Sequence, residues 1–198
     1  MYPINEIFYS LQGEGYHTGM PTIFVRFSGC NLKCPFCDTR HEESLPMNTA
    51  DIMARVNEYP EGAIVVLTGG EPSLHIDKPL IDALHEAGRY VAIETNGTNP
   101  LPEGIDWITW SPKIGMTPGA ERIGLRRADE IKVVNVGQTL DPYFTLPQRS
   151  ENTRMYLQPC FISDAAECAR NLSDTIAKVK ADPRWRLSAQ MHRYLDIP

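Results

Sequence analysis

This sequence of 198 residues has no apolar stretch long enough to cross a bilayer. Its longest aliphatic run is Ala63–Leu67, whereas a spanning helix needs about 20 residues. Excess positive charge is also missing: the formal net charge is −6, which excludes the broad basic footprint of a nucleic-acid binder. The first residues, Met1–Glu6, carry neither the basic region nor the apolar core of a secretory signal. Cysteines number five, an odd count without a secretion signal, so a disulfide framework is not expected. These absences predict a cytoplasmic protein with reduced thiols, with neither nucleic acid nor membrane as partner. No repeat, low-complexity tract or composition break marks a linker. The chain therefore reads as one domain, residues 1–198, long enough for a sizeable core.

What is present is an alternation of strands and helices. Short β-rich runs fall at Thr22–Phe27, Ala63–Leu67, Tyr90–Glu94, Trp107–Trp110, Glu130–Val134, Met155–Gln158 and Trp185–Ser188. Several are nearly continuous apolar runs, as strands buried on both faces of a parallel sheet should be. Ile52, Met53, Val56 and Tyr59 share a helical face behind the capping candidates Asn48 and Thr49, closed by Pro60. Leu80, Ile81, Leu84 and Ala87 make a second stripe, with Asp77 as N-cap and Gly88 as stop. Ala165, Cys168, Leu172, Ile176 and Val179 make a third, begun by Ser163 and ended by Asp182-Pro183. One short helix is expected on each side of the Glu130 strand, within Glu121–Arg149. The fold class is α/β with a parallel sheet. A complete eight-fold barrel usually needs about 250 residues, so an incomplete TIM-type barrel is expected, with its chemistry at the carboxyl ends of the strands.

Three cysteines crowd one short stretch, Cys30-x3-Cys34-x2-Cys37, directly after the first strong strand. Thiolate sulfur is the usual ligand of cubane iron–sulfur clusters, and three thiolates would leave one iron open. A structural zinc site is the alternative on residue type. Zinc sites prefer a C-x2-C pair matched by a second pair elsewhere, and here only the widely spaced Cys160 and Cys168, with His41 near the loop, offer themselves. A second signal, Thr68-Gly69-Gly70-Glu71-Pro72, follows a strand. Its paired glycines would let a backbone approach a ligand, and Glu71 could accept hydrogen bonds from an ammonium group.

Together, the cysteine triplet and Gly69-Gly70-Glu71 resemble the radical S-adenosylmethionine (SAM) enzymes, whose open iron binds the amino and carboxylate groups of SAM. More motifs narrow the likeness: Leu11-Gln12-Gly13-Glu14-Gly15, Cys37-Asp38-Thr39, Glu94-Thr95-Asn96-Gly97, Ser111-Pro112-Lys113, Asp129-Glu130-Ile131-Lys132 and the closing His192–Pro198. In this order they resemble the 7-carboxy-7-deazaguanine synthase family of queuosine and deazapurine biosynthesis.

That resemblance implies a ring contraction in which 6-carboxy-5,6,7,8-tetrahydropterin becomes 7-carboxy-7-deazaguanine with loss of ammonia. It implies a [4Fe-4S] cluster on Cys30, Cys34 and Cys37, SAM, and Mg²⁺ held by the hydroxyl of Thr39. SAM would be lined by Phe36, Cys37, Asp38, Gly70, Ser111, Pro112 and Lys113. The pterin would meet Leu11, Gln12, Gly13, Glu14, Arg26, Thr68, His192 and the terminal carboxylate of Pro198. No side chain is assigned as a catalytic acid, base or nucleophile, because the radical comes from SAM and the protein supplies orientation and electrostatics. The implied partners are a one-electron donor (flavodoxin or ferredoxin) and a second copy of the chain in a homodimer. Two alternatives stand beside this reading: a glycyl-radical-enzyme activase, which shares the cysteine spacing, and a non-catalytic zinc-binding module. Cys160 and Cys168 read as small core residues, and His17, His75 and His85 as structural or surface residues.

Overall fold

A computed structural model describes residues 1–37, 39 and 43–198. Among these residues nine strands form one sheet: β1 (Tyr2–Leu11), β2 (Pro21–Phe27), β3 (Leu45–Met47), β4 (Ile64–Gly69), β5 (Val91–Thr95), β6 (Trp107–Trp110), β7 (Glu130–Asn135), β8 (Arg154–Pro159) and β9 (Arg186–Leu187). Their spatial order is β3-β1-β2-β4-β5-β6-β7-β8-β9. Neighbours from β2 to β9 run parallel, and the sheet stays open, as an incomplete barrel should. All seven runs expected from sequence are strands, with ends shifted by a few residues at most.

The sheet is not purely parallel. β1 pairs antiparallel with both β2 and β3, and neither β1 nor β3 was expected. Pro3, Asn5 and Glu6 break the apolar pattern of β1, and its register against β2 shifts between Ile4 and Glu6. Such an irregularity hides a period of two, and a three-residue strand leaves almost no pattern at all.

Helix α1 (Thr49–Val56) begins with a reciprocal cap. Asn48 accepts from the Asp51 amide at 2.9 Å, and the Asp51 carboxylate accepts from the Asn48 amide at 3.0 Å. Helix α2 (Lys78–Glu86) is capped by Asp77, whose carboxylate accepts from the Leu80 amide, and it stops at Gly88 in left-handed geometry with φ +70°. Ile52 and Val56 of α1, with Leu80, Ile81 and Leu84 of α2, are completely buried against the sheet, each contributing about 2 kcal/mol of hydrophobic stabilisation. Two details differ from expectation. Helix α3 (Ala165–Ala181) is capped by Asp164 rather than Ser163, and its stripe is only partly covered: Thr175 is buried while Ile176 is exposed. The segment between β6 and β7 contains no helix; the one short helical turn of that region is a 3₁₀ turn, Asp141–Thr145, after β7. A short helix α4 (Met191–Leu195) was not anticipated.

Side-chain alternation along the parallel strands decides where the chemistry sits. Val25, Phe27, Leu67, Ile93, Trp110, Ile131, Val133 and Leu157 join the main core under the helices. The residues between them face the other way. Toward the amino ends these are apolar and form a small inner cluster of Phe24, Ile64, Val66, Ala92 and Trp107. Toward the carboxyl ends they become polar, with Arg26, Thr68, Glu94, Ser111, Lys132 and Gln158 all lining one cleft. A loop from Gln12 to Met20 crosses the inner face, and Tyr16 stacks on Trp107 with ring centres 4.6 Å apart.

Candidate active site

The cleft has a volume of about 840 Å³, ample for a small molecule beside a second one. Cys30, Cys34, Phe36, Cys37 and Thr39 form one wall. All three thiols are free of disulfides, with Cys37 exposed and the other two half-buried. Burial pushes the Cys30 and Cys34 thiols up, and the Lys113 ammonium opposes this at Cys34. Asp38 lies outside the described residues.

Paired glycines after β4 fit the cysteine loop onto the sheet. A Cβ at Gly70 would lie 1.9 Å from the Gly29 carbonyl oxygen, and one at Gly69 would lie 2.2 Å from that of Phe27. The Gly70 amide donates to Phe27 and the Glu71 amide to Gly29, both at 2.9 Å. Close backbone approach is thus what the glycines permit, and the first backbone they approach is the root of the cysteine loop. Glu71 differs from expectation. It is 1% exposed, and its carboxylate accepts from the Ser73 amide (3.0 Å), the Thr95 hydroxyl (2.7 Å) and the Asn96 amide (2.7 Å). It braces neighbouring loops instead of waiting for an ammonium group. Asn96 continues the brace, donating through Nδ2 to Asn31 of the cysteine loop at 3.0 Å.

Next to this wall, Lys113 donates to the carbonyl and hydroxyl oxygens of Ser111 at 2.9 and 2.5 Å. Burial lowers its pKa, while the nearby Cys34 raises it. Ser111, Lys113 and Gly70 line the cleft; Pro112 is buried and does not.

Opposite stand the remaining candidates, with Leu11, Gln12, Gly13, Glu14, Arg26, Thr68, His192 and Pro198 all in the cleft lining. Arg26 uses Nε in an ion pair with Glu6 at 2.8 Å. Its two terminal nitrogens have no hydrogen-bond partner among the described residues. Gly13 lies so close to His192 that a Cβ there would be 2.3 Å from Nδ1, and its carbonyl accepts from the Met191 amide at 2.9 Å. Pro198 returns to the start of the sheet, where the Ser10 hydroxyl donates to its main-chain oxygen at 2.8 Å.

Two charged residues that carry this wall belong to motifs of the family resemblance but were assigned no role from sequence. Lys132, on β7, is buried and donates to Glu14 and, at 2.9 Å, to Glu94 on β5. Glu94 also accepts from Nε2 of Gln12 at 3.1 Å, and Glu14 from Nε2 of Gln190 at 2.8 Å. Burial pushes the Glu14 carboxyl up, but the Lys132 ammonium beside it overrides this and holds it at about 2. Burial likewise pushes Lys132 down, and the three carboxylates Glu14, Glu94 and Glu130 more than reverse it. Glu130, two residues before Lys132 on the same face, accepts from the Tyr16 amide at 2.9 Å, while its other oxygen is buried without a partner. Burial raises its pKa to about 7. The available signal was a charge set between apolar residues of a parallel strand, as in Ile93-Glu94 and Ile131-Lys132-Val133. The alternation that sends Ile93, Ile131 and Val133 to the helix side sends Glu94 and Lys132 to the cleft.

A zinc module needs its ligands on one ion; among the described residues no three His, Cys, Asp or Glu side chains are grouped, and His41, the zinc candidate near the loop, lies outside them. Cys168 instead bonds locally with the Ile162 backbone, and Cys160 is buried away from the cleft. A cubane cluster holds each thiolate on a separate iron. That requirement fits three free thiols spread along one loop at a cleft wall.

The sequence is similar to known proteins over its whole length. The Radical SAM superfamily profile matches residues 24–109. The 7-carboxy-7-deazaguanine synthase of Bacteroides thetaiotaomicron is 54% identical over 197 residues, covering 100% of this chain and 99% of the relative. That of Nitratidesulfovibrio vulgaris is 41% identical over 223 residues, covering 100% and 99%. Among solved structures, QueE from Escherichia coli superposes with a TM-score of 0.75 at 32% identity, covering 96% of this chain and 94% of that one. Streptococcus suis SuiB, at 16% identity and a TM-score of 0.54, is a likeness of fold alone.

Proposed function

This chain belongs to the 7-carboxy-7-deazaguanine synthase family within the radical SAM superfamily, and we propose that its cleft converts 6-carboxy-5,6,7,8-tetrahydropterin to 7-carboxy-7-deazaguanine with loss of ammonia. One observation carries this reading. The cysteine loop and the network of Glu14 and Glu94 about the buried Lys132 face a single cleft, so a cluster ligand wall and a polar recognition wall meet across space for one substrate. When bound, the [4Fe-4S] cluster with SAM supplies one-electron hydrogen-abstraction chemistry.

The chain's own residues supply position. Cys30, Cys34 and Cys37 hold the cluster, on a loop that Gly69, Gly70 and Asn96 keep in place. Ser111 and Lys113 meet SAM beside Gly70 and Phe36, with Asp38 assigned to the same task by its place in the motif. Thr39, two residues beyond the last cysteine, offers a hydroxyl to Mg²⁺, a hard cation that takes oxygen ligands and keeps several waters. The free nitrogens of Arg26 form a planar fork suited to a carboxylate or ring carbonyl. Gln12, Gly13 and Glu14 read the amino-pyrimidinone edge, with Thr68, His192 and Pro198 closing the site. Burying polar groups that a wrong ring would leave unpaired gives such a site strong discrimination.

A single-electron donor such as flavodoxin or ferredoxin, and a homodimer, complete the proposal by family resemblance. The alternatives lose ground because the curated relatives are 7-carboxy-7-deazaguanine synthases, neither non-catalytic zinc modules nor activases of a protein. Anaerobic reconstitution followed by mass spectrometry of products from carboxytetrahydropterin, SAM, Mg²⁺ and reductant tests the reading. Carboxydeazaguanine is expected. Deoxyadenosine without it would sink the specific reaction while sparing the superfamily.

A further inference from the structure

We infer that Lys132 is the positioning residue of the substrate wall: one buried ammonium that fixes the geometry and charge of two acceptor carboxylates, Glu14 and Glu94, which reach the cleft from different parts of the chain. This rests on the reading above and adds a residue with a role of its own. Lys132 rises from the middle of β7, its side chain only 4% exposed, against 14% for Glu14 and 25% for Glu94. Its ammonium is therefore spent within the protein, while the carboxylates keep their cleft-facing edges. Each carboxylate oxygen has two acceptor sites. Glu94 uses Oε1 for Gln12 and Oε2 for Lys132; Glu14 uses Oε1 for Gln190 and Oε2 for Lys132. The second lone pairs remain for the N–H donors of an amino-pyrimidinone edge.

The charges around Lys132 explain why it is needed. Glu14 faces it from the loop after β1, Glu94 from β5 and Glu130 from its own strand, with Lys113 and His192 acting at longer range on the same groups. Without the ammonium, two half-buried carboxylates would lie close together beside the buried Glu130. Like charges so close repel, and proton uptake within the group relieves that repulsion. A protonated carboxyl presents a donor where the substrate presents donors.

The experiment compares holoenzyme of the parent, Lys132→Met and Lys132→Arg. Calorimetric Kd values for carboxytetrahydropterin, with SAM present, are taken from pH 5.5 to 8.5, with melting temperature and iron content measured alongside. The parent should bind with little pH dependence. Lys132→Met should weaken binding about 10- to 100-fold and make it pH-dependent, weakest at the acid end, while Lys132→Arg should restore the flat profile in part. SAM binding should stay within about twofold of parent, as the mutated wall is not the cysteine wall. A folded, iron-loaded Lys132→Met that matches the parent in Kd and pH profile overturns the inference alone. A flat profile merely offset to weaker binding also overturns it, as that is what a structural role would give. Should Lys132→Met fail to fold, the Lys132→Arg profile decides: loss of the charge-dependent binding there despite parent-like melting overturns the inference. A parent that does not bind the pterin overturns both this inference and the proposed function.

Discussion

A Cβ at Gly70 would lie 1.9 Å from the carbonyl oxygen of Gly29, so the glycine pair after β4 is fitted against the root of the cysteine loop. The obstacle is backbone, which cannot rotate aside as a side chain could. Gly70→Ala should therefore shift the cysteine loop, at a cost of about 2 kcal/mol or more. Iron content after anaerobic reconstitution should fall well below parent even in folded protein. Parent-like iron loading and melting would show that the contact relaxes freely.

Thr39 lines the same cleft as the cysteines, and its hydroxyl is the oxygen donor proposed for Mg²⁺. Thr39→Ala should keep the cluster spectrum and SAM affinity and lose at least about tenfold in apparent Mg²⁺ affinity during turnover. Titrating Mg²⁺ against product formation checks this. Equal responses in variant and parent would remove Thr39 from the metal site.

Pro198 lines the cleft and accepts a hydrogen bond from Ser10. Extending the chain by a short Gly-Ser segment after Pro198 should raise KM for the pterin about tenfold or more, because both the carboxylate and its place are lost. SAM affinity should not change. A tagged protein with unaltered KM refutes the role.

Stability should fall with rising pH through one buried group. Burial raises the Glu130 pKa from 4.5 to about 7, so between those values the folded protein keeps a proton that the unfolded chain has released. Its contribution is complete below about pH 4.5 and is lost as pH rises to about 7, amounting to up to about 3 kcal/mol. Glu14 runs the other way. Its folded pKa of about 2 gives stability present above about 4.5 and lost on acidification. Anaerobic melts at pH 5.5 and 8 should show a decrease in the parent that Glu130→Gln lacks; identical slopes would exclude Glu130 as the source.

What the sequence by itself determined follows from local physics. Spacing within one short loop decides that three thiols share a site, so Cys30, Cys34 and Cys37 were readable without a fold. Caps are equally local: Asn48 and Asp77 announce α1 and α2 because a side chain there can reach amides two or three residues on. Apolar runs located the seven strands of the parallel series, since strands buried under helices need them. Tertiary structure alone decided the rest. β1 joins the sheet antiparallel, between β3 and β2, because that pairing compensates for a sequence with little strand pattern, and no local signal encodes a partner. Glu71 lies beside the glycines in sequence and caps the local turn at Ser73, yet its carboxylate also belongs to Thr95 and Asn96, brought near only when β4 and β5 align. The Glu14–Lys132–Glu94 network spans 118 residues between its first pair. Nothing in each segment taken singly says that its charge will meet two others. That meeting is set by the curvature of the sheet and the alternation of its side chains, which turn three distant charges toward one cleft.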